Sequence, residues 1–212
     1  MIFYVVYVKG EVVGDCLNAI RCLASPSTTH AAHITVRGPY EEFCDMSAIN
    51  TSFGTIPVLI NGVGRFINPD QHVVYLSCVA EGLEKISWRP DFPLFTPHLT
   101  LYSGRSMDLA NEIHAIAVRY RYSINLHARE LEVLVVPGRL ISSISATLNE
   151  KRISRITGED IRYWLVKTLS LHRRLGAIDR LCRHLSRLSD TYEGDFDSLT
   201  WDAWESWRKK IR

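Results

Sequence analysis

The chain has 212 residues, 46% hydrophobic and 10% aromatic, which is ample for a packed core and excludes a largely disordered protein. The net charge of +2 decides little, but its distribution is uneven. Residues 1–150 hold 11 Lys/Arg against 14 Asp/Glu, residues 151–188 hold 10 against 3, and residues 189–212 hold 4 against 6. Five cysteines (Cys16, Cys22, Cys44, Cys78 and Cys182), an odd number with no C-x-x-C pair, exclude a disulfide framework and a zinc ribbon; they fit reduced thiols in the cytoplasm.

The apolar start, Met1 to Val8, has no basic stretch before it and runs into Lys9 and Gly10, so it reads as a first strand and not a leader. No apolar run approaches the ~20 residues that span a bilayer. Residues 11–24 place Val12, Val13, Cys16, Leu17, Ile20 and Leu23 on one helical face. After a loop containing Pro26, residues 32–37 form a second strand, stopped by Gly38-Pro39. Residues 41–50 read as a short helix. Strand-like runs at 55–68 and 72–80 flank the turn Asn68-Pro69-Asp70. Residues 81–88 make a helical turn, and Pro90, Pro93 and Pro97 punctuate the loop before a strand at 98–102.

Residues 106–119 are helical, with Leu109, Ile113, Ile116 and Ala117 on one face, and 122–136 alternate as one long strand or two. This order predicts an α+β fold with antiparallel sheets and helices on one face. Beyond Gly138, Thr157 reads as a helix cap, and Ile161, Leu165, Leu169, Leu175, Ile178, Leu181, Leu185 and Leu188 form an apolar stripe that Gly176 breaks into two helices. Trp201, Trp204 and Trp207 read as a packing anchor.

Two segments resemble each other. His33-Ile34-Thr35-Val36-Arg37 and His98-Leu99-Thr100-Leu101-Tyr102 are both H-x-T within strand patterns, their histidines 65 positions apart. Alternate strand residues share a face. His33, Thr35 and Arg37 are thus expected to point one way, and His98, Thr100 and Tyr102 likewise. Two such strands together present two imidazoles and two hydroxyls to one space. A neutral imidazole accepts a proton from an attacking water, a protonated one gives a proton to the leaving oxygen, and the hydroxyls donate to oxygens where charge develops. Histidine suits both roles because its ordinary pKa is near 6.5.

On these paired motifs, residues 1–137 resemble the 2H phosphoesterase superfamily, which takes in LigT-like 2′,5′ phosphodiesterases and RNA ligases and cyclic nucleotide phosphodiesterases. The resemblance implies a two-lobed fold with antiparallel sheets flanking a central cleft; residues 138–212, read from their apolar stripe as a helical C-terminal extension, lie outside it. It implies that His33 and His98 are the catalytic acid/base pair and that Thr35 and Thr100 bind phosphate, with no metal and no cofactor. The implied reaction is metal-independent opening of a phosphodiester on a nucleotide or RNA end, a 2′,3′-cyclic phosphate or a 2′,5′ linkage. A cyclic di- or oligonucleotide is an alternative substrate, ligation the reverse reaction, and a catalytically weak RNA-end binding module the alternative function. The 65-residue spacing is short for the family.

Among neighbouring residues, Arg37 is a candidate for phosphate or the leaving group, and Tyr102 for stacking on a base. Tyr40 and Phe66 are cruder stacking candidates. His30 and His33 make a poor metal pair, with no carboxylate or cysteine cluster beside them. The basic segment 151–188 reads either as a footprint for RNA phosphates or as the solvated face of a helical hairpin whose apolar stripe packs on the catalytic domain or a second copy. The histidine pair predicts a bell-shaped pH–rate profile and activity that survives EDTA.

Overall fold

A computed structural model of the chain describes residues 1–8, 11–25, 30–47, 49, 54–88, 94–136 and 170–188. Among the described residues there are seven strands: β1 Ile2–Tyr7, β2 His33–Tyr40, β3 Ile56–Ile67, β4 His72–Val79, β5 His98–Gly104, β6 Ile124–Ala128 and β7 Glu132–Val135. The helices among the described residues are α1 Glu11–Ala24, α2 Glu81–Glu84, α3 Met107–Ala117 and α4 Leu171–Leu188. The class is α+β, with every neighbouring strand pair antiparallel.

The strands form two sheets, ordered β2-β1-β7 and β5-β4-β3-β6. The run over 122–136 is therefore two strands in different sheets. β6 pairs with β3, and β7 crosses back to pair with β1. Strands β2 and β5 each sit at a sheet edge, and these two edges lie against one another. The H-x-T histidines open these two strands, His33 at the start of β2 and His98 at the start of β5.

β2 does not stop at Gly38-Pro39 but continues through it to Tyr40. An edge strand tolerates proline, because the missing N–H can fall on the unpaired side. Gly38 has φ +107°, and a Cβ there would lie 2.7 Å from the Ile2 carbonyl oxygen, so glycine is required at this close approach. Of the helix expected over 41–50, residues 41–46 are bend and irregular chain, and residues 48 and 50 lie outside the described residues.

One hydrophobic core joins both sheets and the three longer helices. Val12, Val13, Leu17, Ile20 and Leu23 of α1 pack with Tyr4, Val6 and Ile34 and with Ile113 of α3 and Ile178 and Leu185 of α4. α3 starts at Ser106, whose hydroxyl accepts from Leu109 N at 3.2 Å.

α4 packs against α1 and α3. It passes through Gly176 without a break. A helical glycine costs about 1 kcal/mol, less than the burial of Ala177, Ile178, Cys182, Leu185 and Leu188 contributes. Asp179 fixes the helix laterally, accepting from Tyr120 Oη at 2.7 Å and pairing with Arg119 at 2.9 Å. The apolar stripe of the described part of the extension thus packs on the same chain, with Arg173, Arg180, Arg183 and Arg187 on its solvated side. Thr157 and Trp201, Trp204 and Trp207 lie outside the described residues. All five cysteines are free thiols. Among the described residues no helix is long and apolar enough to cross a membrane.

Ile178 and Leu185 are fully buried, so truncating either to alanine is expected to destabilise the whole chain by about 2–5 kcal/mol. Urea unfolding followed by tryptophan fluorescence and far-UV circular dichroism should show one transition moved to lower denaturant for both signals.

Candidate active site

The two H-x-T segments are built alike. His33 Nδ1 donates to the carbonyl of Ala31, and His98 Nδ1 donates to the carbonyl of Thr96, both at 2.7 Å. A carbonyl only accepts, so each contact places the proton on Nδ1 and leaves the Nε2 lone pair as the basic position of the neutral ring. Each histidine is thus oriented by the backbone two residues before it. Thr35 and Thr100 follow two residues later, half-buried as the histidines are, and neither hydroxyl bonds to another protein group among the described residues.

The register defines what lies beside them. His98 is opposite Ser77, which is opposite Gly62; Thr100 is opposite Tyr75, which is opposite Gly64. A Cβ at Gly64 would lie 2.5 Å from the Tyr75 ring and one at Gly62 would lie 2.6 Å from Ser77 Oγ, so β3 offers these side chains a bare backbone floor. Aromatic rings gather at His98: Tyr75 at 4.9 Å, Phe66 at 5.3 Å, and the two from each other at 4.5 Å. In the other sheet His33 pairs with Tyr7, and their rings meet edge to face at 5.7 Å. A cavity of about 550 Å³ opens beside Tyr7, with Asn125, His127, Glu130 and Glu132 on its wall. It contains neither motif histidine.

A register shift follows each threonine. Val5 pairs with Thr35 but Tyr4 with Arg37, and Tyr75 pairs with Thr100 but Val74 with Tyr102. One extra residue, Val36 or Leu101, is accommodated each time, as in a β-bulge. In β5 the alternation that put Tyr102 beside Thr100 does not survive it, whereas in β2 the alternation of buried and part-buried residues runs on through Arg37. Tyr102 turns into the core, 5% exposed, opposite the fully buried Val74. Its hydroxyl accepts from Ser106 N at 3.2 Å and donates to Ser106 O at 3.3 Å, bracing the start of α3. It has no open face for a base. Arg37 stands opposite Tyr4; its Nε donates to Tyr40 Oη at 3.0 Å and its Nη1 to the Ile86 carbonyl at 2.9 Å. Tyr40 stacks on Trp88 at 5.0 Å, so this group ties β2 to the segment after α2. Of the two stacking candidates outside the motifs, Phe66 lies at a motif histidine and Tyr40 does not.

Two residues of α1 complete the surroundings, and the helix reading, which followed the apolar stripe, passed over both. Asn18 and Arg21 are three apart, so they share a face, and both are over nine-tenths buried. Asn18 Oδ1 accepts from Ala32 N at 2.7 Å, immediately before His33. Arg21 Nη1 donates to the Thr100 carbonyl at 3.0 Å. Polar side chains inside an almost continuous apolar helix are the signal that marks them.

Burial, above all, and then the charge of Arg21 push the His33 imidazole down to about 3, with smaller contributions from His30 and His98 in the same direction. His33 is accordingly neutral at physiological pH, and the charge of His98 is felt at His33 across the seam. Among the described residues no three His, Cys, Asp or Glu side chains converge on one point.

A histidine whose folded pKa lies below its unfolded value of about 6.5 binds its proton mainly in the unfolded chain. Stability from this group is therefore intact above pH ~6.5 and falls as the pH drops toward 3. Urea midpoints measured from pH 7 to 4 are expected to decline, and His33→Ala should flatten that decline.

A scan against models of known protein families gave no match for this chain, and a search of curated proteins gave none either.

Proposed function

We propose that the protein is a 2H-type phosphodiesterase that opens a nucleotide or RNA-end phosphodiester with His33 and His98 as proton acceptor and donor. One observation carries this proposal. Two facing edge strands each hold a histidine anchored through Nδ1 to the carbonyl two residues earlier, at the same 2.7 Å, with a threonine two residues on. A lone structural histidine needs no such duplicate. General acid/base catalysis needs two imidazoles whose Nε2 atoms are aimed by their supports.

For a 2′,3′-cyclic phosphate the steps balance as follows. Water oxygen bonds to phosphorus as His33 Nε2 takes its proton. The P–O bond to the ribose breaks as His98 Nε2–H protonates the leaving oxygen, giving a phosphomonoester and a free hydroxyl. Thr35 and Thr100 donate to the nonbridging oxygens, where negative charge grows. Phe66 and Tyr75, beside His98, offer rings on which a nucleobase stacks. The neutral state of His33 places the rising limb of the pH–rate profile well below neutrality, leaving the deprotonation of His98 to produce the falling limb.

The test is hydrolysis of 2′,3′-cyclic nucleotides, 2′,5′-linked oligoadenylates and cyclic dinucleotides in excess EDTA. One class is expected to be turned over, with the rate falling about 10²–10⁴-fold in His33→Ala and in His98→Ala. Turnover of none of them, with labelled RNA still bound, identifies a binding module instead. Turnover unchanged in both variants removes the pair from the chemistry.

A further inference from the structure

We infer that Arg21 is a positioning residue for this chemistry: from α1 it enters the seam between the two motif strands, ties Thr100 to the side of His33, and makes His33 the proton acceptor and His98 the proton donor. This inference rests on the phosphodiesterase reading above.

The geometry comes first. β2 and β5 are edge strands that face each other without forming a ladder. Their relative placement must come from something else, and α1 supplies it. Asn18 holds the backbone entering His33, and Arg21 holds the carbonyl of Thr100. The two contacts sit on one helix face, so a rigid element sets the separation of the motifs.

The chemistry of Arg21 is unusual for a purely mechanical clamp. It is 7% exposed, no carboxylate pairs with it among the described residues, and its Nε is buried with no hydrogen-bond partner. An uncompensated buried cation is costly, and an apolar side chain of similar volume is often the more stable choice. An amide would also reach a carbonyl. What neither supplies is positive charge beside His33.

That charge opposes a proton on His33. The titratable groups around His33 are Arg21 from α1, His30 from the preceding loop, Tyr7 from β1 and His98 from β5. Of these, Arg21, His30 and His98 all oppose a proton on His33, and Arg21 is the strongest of the three. Burial also pushes Arg21 itself down, to about 10, which leaves it charged at neutral pH. A single proton shared by the pair therefore resides on His98. The division of labour, which the two matching motifs leave open, is made by a residue outside both.

The test compares the full-length chain with Arg21→Met, which keeps length without charge, and Arg21→Lys, which keeps charge. His33 and His98 are titrated by NMR without substrate, and pH–rate profiles are recorded on whichever substrate the panel identifies. In the wild-type chain His98 is expected to titrate above His33. In Arg21→Met the His33 titration should move up by about one pH unit or more, and the rising limb of the rate profile should move up with it; Arg21→Lys should restore both toward wild type. An unmoved His33 titration in folded Arg21→Met overturns the inference, as does a uniform loss of rate with an unaltered pH profile. If Arg21→Met fails to fold, the wild-type order decides: His33 titrating above His98 overturns it. If His33 shifts as expected but no phosphodiester is cleaved by the wild type, the electrostatic placement of Arg21 stands and the phosphodiesterase reading falls.

Discussion

The arrangement of both motifs depends on two hydrogen bonds from one helix face. Asn18 and Arg21 reach the backbone beside His33 and at Thr100, and no ladder connects the strands that carry these residues. Three residues along a helix advance about 4.5 Å, so the two contacts are locked at a short, fixed offset. The two sheets could slide over a shared apolar core with little penalty, because burial is non-directional. Directional bonds remove that freedom. This explains why α1 buries two polar side chains beside its apolar ones.

Such an arrangement is stable only if α1 is held firmly. Its apolar residues pack into the core on the strand side, and α4 covers it further, with Arg174 Nη1 reaching the Leu23 carbonyl at 3.4 Å. Gly14 allows the tight approach at the start of the helix, where a Cβ would lie 2.7 Å from the Val8 carbonyl oxygen. The C-terminal helix, distant in sequence from both motifs, thus buttresses the element that registers them.

Much of the fold, and the two H-x-T segments of the candidate site, were legible in the sequence for local reasons. The strands, α1 and α3 follow from period and turn chemistry, and the two H-x-T segments stand out because a polar residue recurs at every second position in otherwise apolar runs. What was not legible depends on tertiary pairing. Extending the alternation two residues beyond Thr100 misplaces Tyr102, because a register shift ends it there, while Arg37 keeps its phase and is tied to Tyr40 and Ile86. Pro39 reads as a stop until the strand is known to be an edge. Gly176 reads as a break until the burial of Ile178 and Leu185 is known. Asn18 and Arg21 are polar residues of α1 whose partners, Ala32 and Thr100, lie 14 and 79 residues away. The roles of the histidines in turnover are a proposal that rests on their matching supports.

The seam has a consequence for solubility as well. An edge strand presents unpaired N–H and C=O groups that can template a strand from another molecule. Here two edges face each other, and Arg21 occupies one of the carbonyls that such an intruder would need. A helix that detached from this seam would release two edges at once, and β2 carries the β-branched run Ile34-Thr35-Val36. The same side chain that registers the motifs therefore also closes a route to strand-by-strand self-association.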